Sequence, residues 1–160
     1  MGYKRILVTL DGSKVSEQAL KHVLRIADSG ASIHLLSVQA NDPSSEANAL
    51  AKAVDPNHPA TNWPAIPPIG QPTDPAARER YLHEVEDWLS QAEYNVSSAM
   101  PRGEVIDSIL STAKSGDYEI IVMVTHQKDR MVKTIVGSVT DAVIQQAPCP
   151  VLAIPADSDR

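Results

Sequence analysis

Cysteine is almost missing from this chain. Cys149 is the only one in 160 residues, so no internal disulfide can form. Positive charge is also short: 14 Lys and Arg face 20 Asp and Glu, for a net charge of −6. A general nucleic-acid binder needs a basic face to displace counterions, so no nucleic-acid partner is expected. No apolar run approaches the length that spans a bilayer, which predicts no membrane insertion. A strand pattern is under way by Ile6, leaving no room for a secretory leader. The five histidines, His22, His34, His58, His83 and His126, show no metal-ligand spacing, so no metal site is expected. There is no G-x-S-x-G elbow and no complete Walker loop. His126 has no acidic or nucleophilic partner nearby in sequence and reads as a solvated loop residue. No catalytic residue is assigned, and a weak ATP hydrolase is the most that is entertained. These absences fit a cytoplasmic, reduced setting.

What is present is ordinary in bulk and informative in order. A hydrophobic share of 42% and a charged share of 21% describe a globular chain, and its length suits one domain over residues 1–160. The chain is organised around Ile120–Ser138. The apolar run Ile120–Val124 reads as a strand buried on both faces. A polar, basic loop follows, and Gly137-Ser138 precedes a short helical pattern. Strand, loop and helix N-terminus together aim free backbone N–H groups and the helix dipole at whatever fills the loop.

Taken from the start, Arg5–Leu10 reads as a first strand and Asp11-Gly12-Ser13 as the turn after it. Ser13 is a plausible cap for a helix whose apolar stripe is Val15, Ala19, Leu20, Val23, Leu24 and Ala27. Gly30 stands where a terminating glycine would sit, and Ser32–Val38 is a second strand. Residues 41–73 differ in kind: seven of the chain's 12 prolines lie there. No central strand or long helix can run through Pro56–Pro72, so the segment reads as a surface insertion. Trp63 and Ile66 could pin it to the body or to a partner. Asp74-Pro75 opens a helix with Ala77, Tyr81, Val85, Trp88 and Ala92 inward. A weak edge strand, Tyr94–Ala99, comes next. Gly103-Glu104 opens another helix, with Val105, Ile106, Ile109, Leu110 and Ala113 inward and Gly116 at its end. After the central strand and its loop, Ser138 and Asp141 have capping-box spacing, with Val139, Val143 and Ala147 inward. The last strand is Val151–Ile154. Strict alternation of five strands and four helices predicts an α/β fold with an open, mostly parallel sheet, order 3-2-1-4-5, and helices on both faces. Ligands in such sheets sit beyond the C-terminal strand ends where the winding reverses, here between the first and fourth strands.

With these residues in hand, the chain resembles the universal stress protein family. The match rests on ILVTLDGSKVSEQAL at the start, the Gly103-Glu104 helix opening, IIVM in the fourth strand, and GSVTDAVIQQAPCPVLAIP at the end. It covers nearly everything except the proline-rich insertion. The resemblance implies a Rossmann-like fold of the adenine nucleotide alpha hydrolase type, frequent dimerisation and, in one branch, ATP or AMP as ligand. That branch carries G-x2-G-x9-G-[S/T] after the fourth strand. Here only Gly137-Ser138 remain, and Val124 and Gln127 stand where the earlier glycines would be. Glycine allows close approach to phosphate, whereas a β-branched Val at positive φ is an outlier, so Val124 is expected to continue the strand. Lys128, Arg130 and Lys133 offer side-chain cations to phosphates instead. Their other reading is a solvated loop edge.

Carried over by position, the resemblance puts Thr9 and Asp11 near adenine and ribose, Val38 at the adenine edge and Thr125 along the loop. Gly137, Ser138 and Val139 would lie under the phosphates. Asp11 also suits a plain helix or turn cap. The apolar final strand (Val151, Leu152, Ala153 and Ile154) is an edge that must be covered or paired, so a two-fold homodimer through it is expected. The first functional reading is a regulatory homodimer that binds ATP or AMP through a modified loop. The second is a family member without nucleotide, acting only through contacts with an unidentified protein partner.

Overall fold

The computed structural model describes residues 1–11, 18–39, 75–125 and 138–155. Among them the chain runs β1 (Tyr3–Thr9), α1 (Gln18–Ile26), β2 (Ala27–Leu36), α2 (Pro75–Gln91), β3 (Asn95–Ala99), α3 (Val105–Gly116), β4 (Ile120–Thr125), α4 (Ser138–Gln146) and β5 (Val151–Pro155). The strands form one sheet in the order β3-β2-β1-β4-β5. Every pairing is parallel. The architecture is the α/β sheet that the alternation predicts, in the predicted order.

Pleating sorts the apolar residues into two cores, because successive side chains leave a strand on opposite faces. On one face Ile6, Val8, Ile33, Leu35, Ile120 and Val122 pack under α1 and α2, against Leu20, Val23, Tyr81, Val85 and Leu89. On the other, Leu7, Leu36, Ile121 and Met123 pack under α3 and α4, against Ile109, Leu110, Ala113 and Val143. Central strands covered on both sides explain why β1 and β4 are unbroken apolar runs. Val124 does continue β4, paired with Ile154 of β5.

Two expectations need correction. Gly30 does not end the first helix. α1 stops at Ile26, and Gly30, with φ 70°, lies inside β2. The register gives the reason: Tyr3 pairs with Ala27 but Arg5 with Ser32. β2 must absorb extra residues over that step, and a left-handed glycine lets the chain bulge. Asn95 Nδ2 donates to the Gly30 carbonyl at 3.0 Å, tying the bulge to β3.

The stripe of α2 is also rotated. Pro75 is its first residue, and Ala77, Tyr81 and Val85 are buried. Trp88 is only partly buried, and Ala92 lies beyond the helix, exposed. Leu82, Leu89 and Arg78 are buried instead. Residues 78, 82, 85 and 89 follow helical spacing as well as the expected set does, and a charged residue within it hid the pattern.

α3 buries the expected Ile109, Leu110 and Ala113 and ends with Asp117 in the left-handed region, φ 56°. The Tyr118 ring lies where a Cβ on Gly116 would stand. The Ser13 cap, the proline-rich insertion and the loop with Gln127, Lys128, Arg130, Lys133 and Gly137 lie outside the described residues. Among the described residues no helix is long and apolar enough to cross a membrane.

Candidate functional site

The register places the crevice. Thr9 pairs with Leu36, and Val8 with Val122. Extending both steps puts Val38 and Asp11, just past β2 and β1, level with Thr125, the last residue of β4. Thr125 is itself paired with Pro155. One row thus crosses the sheet at the point where the winding reverses, with the N-terminus of α4 returning beside it. Helix N-termini carry unpaired N–H groups and a positive end, so this is the side of the sheet that favours an anion.

Backbone hydrogen bonds around Val38 sharpen the picture. Leu10 N–H donates to the Leu36 carbonyl at 2.9 Å, continuing the β1–β2 ladder one step beyond β1. Ser37 N–H and Gln39 N–H turn the other way, to the carbonyls of Ala99 (3.0 Å) and Pro101 (2.8 Å). Alternation in a parallel ladder then directs the Val38 N–H and C=O toward β1. Among the described residues the Val38 N–H has no hydrogen-bond partner. An unpaired main-chain donor is costly in a dry interior and useful where a ligand comes. The Val38 side chain, meanwhile, is anchored in the core under α3 and α4.

Buried polar groups cluster at the same end. Arg78 is 3% exposed, and its Nη1 donates to the Val38 carbonyl at 3.4 Å. Ser37 is fully buried, and its Oγ finds no hydrogen-bond partner among the described residues. Gln39 accepts from Arg102 Nε at 2.9 Å through Oε1, and its carbonyl accepts from Gly103 N–H at 3.0 Å. These bonds extend the β2–β3 pairing past the sheet proper and stiffen the crevice wall. Sequence reasoning missed Arg78, Ser37 and Gln39. The available signal was helical spacing from Arg78 to Leu82, Val85 and Leu89.

The predicted residues divide as follows. Thr9 closes β1, Asp11 follows it, Val38 follows β2, and Thr125 ends β4. Thr125 is buried, and its hydroxyl donates to the Ile154 carbonyl at 3.5 Å. Ser138 begins α4, and Val139 packs on the core beneath that helix. Asp141 accepts from Gln145 Nε2 at 2.9 Å. Val151, Leu152 and Ala153 are half-buried and Ile154 is buried, along a strand that among the described residues pairs only with β4. Burial pushes the Cys149 thiol up from its ordinary value, away from nucleophile chemistry.

The opposite end of the sheet is closed by its own side chains. Glu119 Oε2 accepts from Lys4 N–H at 2.6 Å and Arg5 N–H at 3.2 Å, while Glu119 N–H returns a bond of 2.9 Å to the Arg5 carbonyl. Arg5 Nη2 donates to the Gly116 carbonyl at 2.5 Å. His34 stacks on Tyr118, with ring centroids 5.9 Å apart, and its Nδ1 is 2.8 Å from Ser97 Oγ. Burial lowers the His34 pKa below 6.5, against a smaller upward pull from Glu86. Burial raises that of Tyr118, with Arg5 opposing.

Comparison with known proteins bears on both fold and site. The model of the universal stress protein family matches residues 2–155. A universal stress protein of Methanocaldococcus jannaschii is 27% identical over 153 residues, covering 95% of this chain and 82% of that protein. Among solved structures, hypothetical protein MJ0577 matches with a TM-score of 0.71 and 22% identity, over 99% of this chain and 100% of that one. A universal stress protein in complex with cAMP matches with a TM-score of 0.63 and 16% identity, over 98% of this chain and 100% of that one. A family protein of Arabidopsis thaliana with AMP bound matches with a TM-score of 0.61 and 15% identity, over 96% and 92% of the two chains. At these identities the structural likeness speaks for the fold.

Proposed function

The chain belongs to the universal stress protein family, and from that premise we propose that it binds an adenine nucleotide in the crevice above Asp11. The observation that carries this reading is the Val38 N–H, directed toward β1 at the switch point without a partner among the described residues. It is placed to donate to a ring nitrogen of a flat base. Asp11, level with it, is the acceptor a ribose hydroxyl needs. Phosphates would then run toward Ser138 and Val139 at the head of α4, with Gly137, Lys128, Arg130 and Lys133 as their loop contacts. Relatives of the same fold that hold AMP and cAMP support the ligand class. None of the side chains in the row is an activated nucleophile, so the reading is binding that switches partner contact, with ATP and AMP as the ligands to try. Calorimetry with AMP and ATP tests it. Micromolar binding is the expected result, and no heat together with no thermal shift at millimolar nucleotide retires it.

One observation favours a second reading, a member that works through protein contacts alone. Val124 is committed to the β4–β5 ladder opposite Ile154, so it cannot serve as the first phosphate-loop glycine does.

The same proposal includes a homodimer through β5. That strand forms the sheet edge, and Ile144 on neighbouring α4 is 45% exposed. Ile121 N–H donates to the Pro150 carbonyl, so alternation turns the N–H of Val151 and Ala153 outward. Ala153→Pro deletes an outward donor and spares the β4 ladder. Light scattering should show the dimer mass halved in that variant; a monomeric parent at micromolar concentration rules the dimer out.

A further inference from the structure

We propose that the β3 edge of the sheet accepts one more strand, an extended basic segment of a partner protein. The inference stands or falls without the nucleotide reading. β3 is the outermost strand on its side and among the described residues pairs only with β2. Ser37 N–H donates to the Ala99 carbonyl, so Asn95, Ser97 and Ala99 direct their main-chain groups to β2. Alternation turns the N–H and C=O of Val96 and Ser98 outward. These outward groups have no hydrogen-bond partner among the described residues. The strand lacks the usual guards of an edge: it carries no proline and no lysine, and its register against β2 has no bulge. Its polar side chains are turned elsewhere, Asn95 to the Gly30 carbonyl, Ser97 to His34, and Ser98 to Glu86 at 2.7 Å. An unguarded row of main-chain donors and acceptors is what an added strand pairs with.

Charge selects the occupant. The Glu86 bond shows which flank of α2 overlooks β3. Glu79 follows on the same flank by helical spacing and is exposed. Glu93 is exposed just ahead of the strand. Arg102, the cation past its far end, is bonded to Gln39 Oε1 at 2.9 Å. The edge is therefore bordered by carboxylates, and a strand laid along it gains from Lys or Arg side chains. A second copy of the chain, at net charge −6, fits this edge poorly; the apolar β5 is the edge that suits one.

The test is fluorescence anisotropy at low ionic strength. The probes are a labelled peptide of alternating Lys and Thr, long enough to span β3, and its Glu and Thr counterpart. The parent should bind the basic peptide about tenfold more tightly or better. Charge attraction alone would give that preference anywhere on an acidic protein, so the main chain is tested too. Ser98→Pro removes an outward donor, leaves net charge and the β2 ladder intact, and should weaken the basic peptide about fivefold or more. Ser98→Ala loses the Glu86 bond, keeps the N–H and should bind as the parent does. On the parent, the basic peptide should also slow hydrogen exchange at the Val96 and Ser98 amides. Equal affinity for the two peptides, or no binding of either at millimolar concentration, overturns the inference. So does a folded Ser98→Pro variant that binds like the parent, or an equal loss in the Pro and Ala variants. Should Ser98→Pro fail to fold, exchange decides: unslowed Val96 and Ser98 amides, or protection at Val151 and Ala153 instead, overturn it.

Discussion

The two ends of this one sheet solve the same problem in opposite ways. At the N-terminal end, the chain entering β4 is tied to β1 by Glu119, which accepts two main-chain N–H groups and returns its own to Arg5. Nearby, His34 stacks on Tyr118 and shares a hydrogen bond with Ser97. At the C-terminal end, the β1–β2 ladder runs out, and the Val38 N–H, directed toward β1, has no hydrogen-bond partner among the described residues. Under the nucleotide proposal, this is the end that takes the ligand. Parallel sheets share this polarity: helices enter with their N-termini at the C-terminal strand ends.

The comparison breaks most visibly at Val38. Val38→Pro removes a donor that makes no bond among the described residues, and proline pushes the preceding Ser37 toward the extended conformation it already needs. Thermal stability should change little. Nucleotide affinity should fall about tenfold or more, the worth of a lost hydrogen bond to a desolvated base. Val38→Ala trims the side chain, keeps the N–H, and should retain most of the affinity. Equal binding by the proline variant and its parent would show that the Val38 N–H does not meet a base.

Glu119→Ala is the mirror experiment. It deletes the acceptor of two N–H groups at an exposed site, so water takes over part of the role and the cost is about 1 kcal/mol. A denaturation midpoint that shifts without change of slope would report it. Nucleotide affinity should not move. A large loss of affinity would mean that the ends are coupled through β1 and that the division of labour drawn here is wrong.

How much of this was legible beforehand differs between the same two ends. The strands, their order and the helix stripes under α3 and α4 could be read because both obey fixed periods, and a buried run such as Ile120–Val124 has few other uses. Asp11, Val38 and Thr125 could be named because strand ends at a switch point follow from topology. The closed end was invisible: Glu119, His34 and Ser97 are scattered in sequence and meet only once the register is set. Arg78 escaped for another reason. Periodicity counts apolar residues, and a buried guanidinium on the core stripe violates the pattern. The bulge at Gly30 was misread since a glycine after a helix and a glycine in a bulged strand carry the same local signature.

The smallest expected effect lies at the closed end and depends on pH. His34 is stacked on Tyr118 and bonded to Ser97 on the sheet's second face, with Glu86 exerting the smaller, opposing pull on its charge. Burial holds its folded pKa below the ordinary 6.5. Between those two values the unfolded chain carries a proton that the folded chain refuses, so protonation favours unfolding. The stability His34 contributes is therefore complete above pH 6.5 and declines as pH falls from there to the folded pKa, below which it is flat. Melting curves across that window should show the decline in the parent and a shallower one in His34→Gln, which keeps a polar partner for Ser97 and cannot take the proton. Identical slopes would mean that His34 reaches water freely in the folded chain.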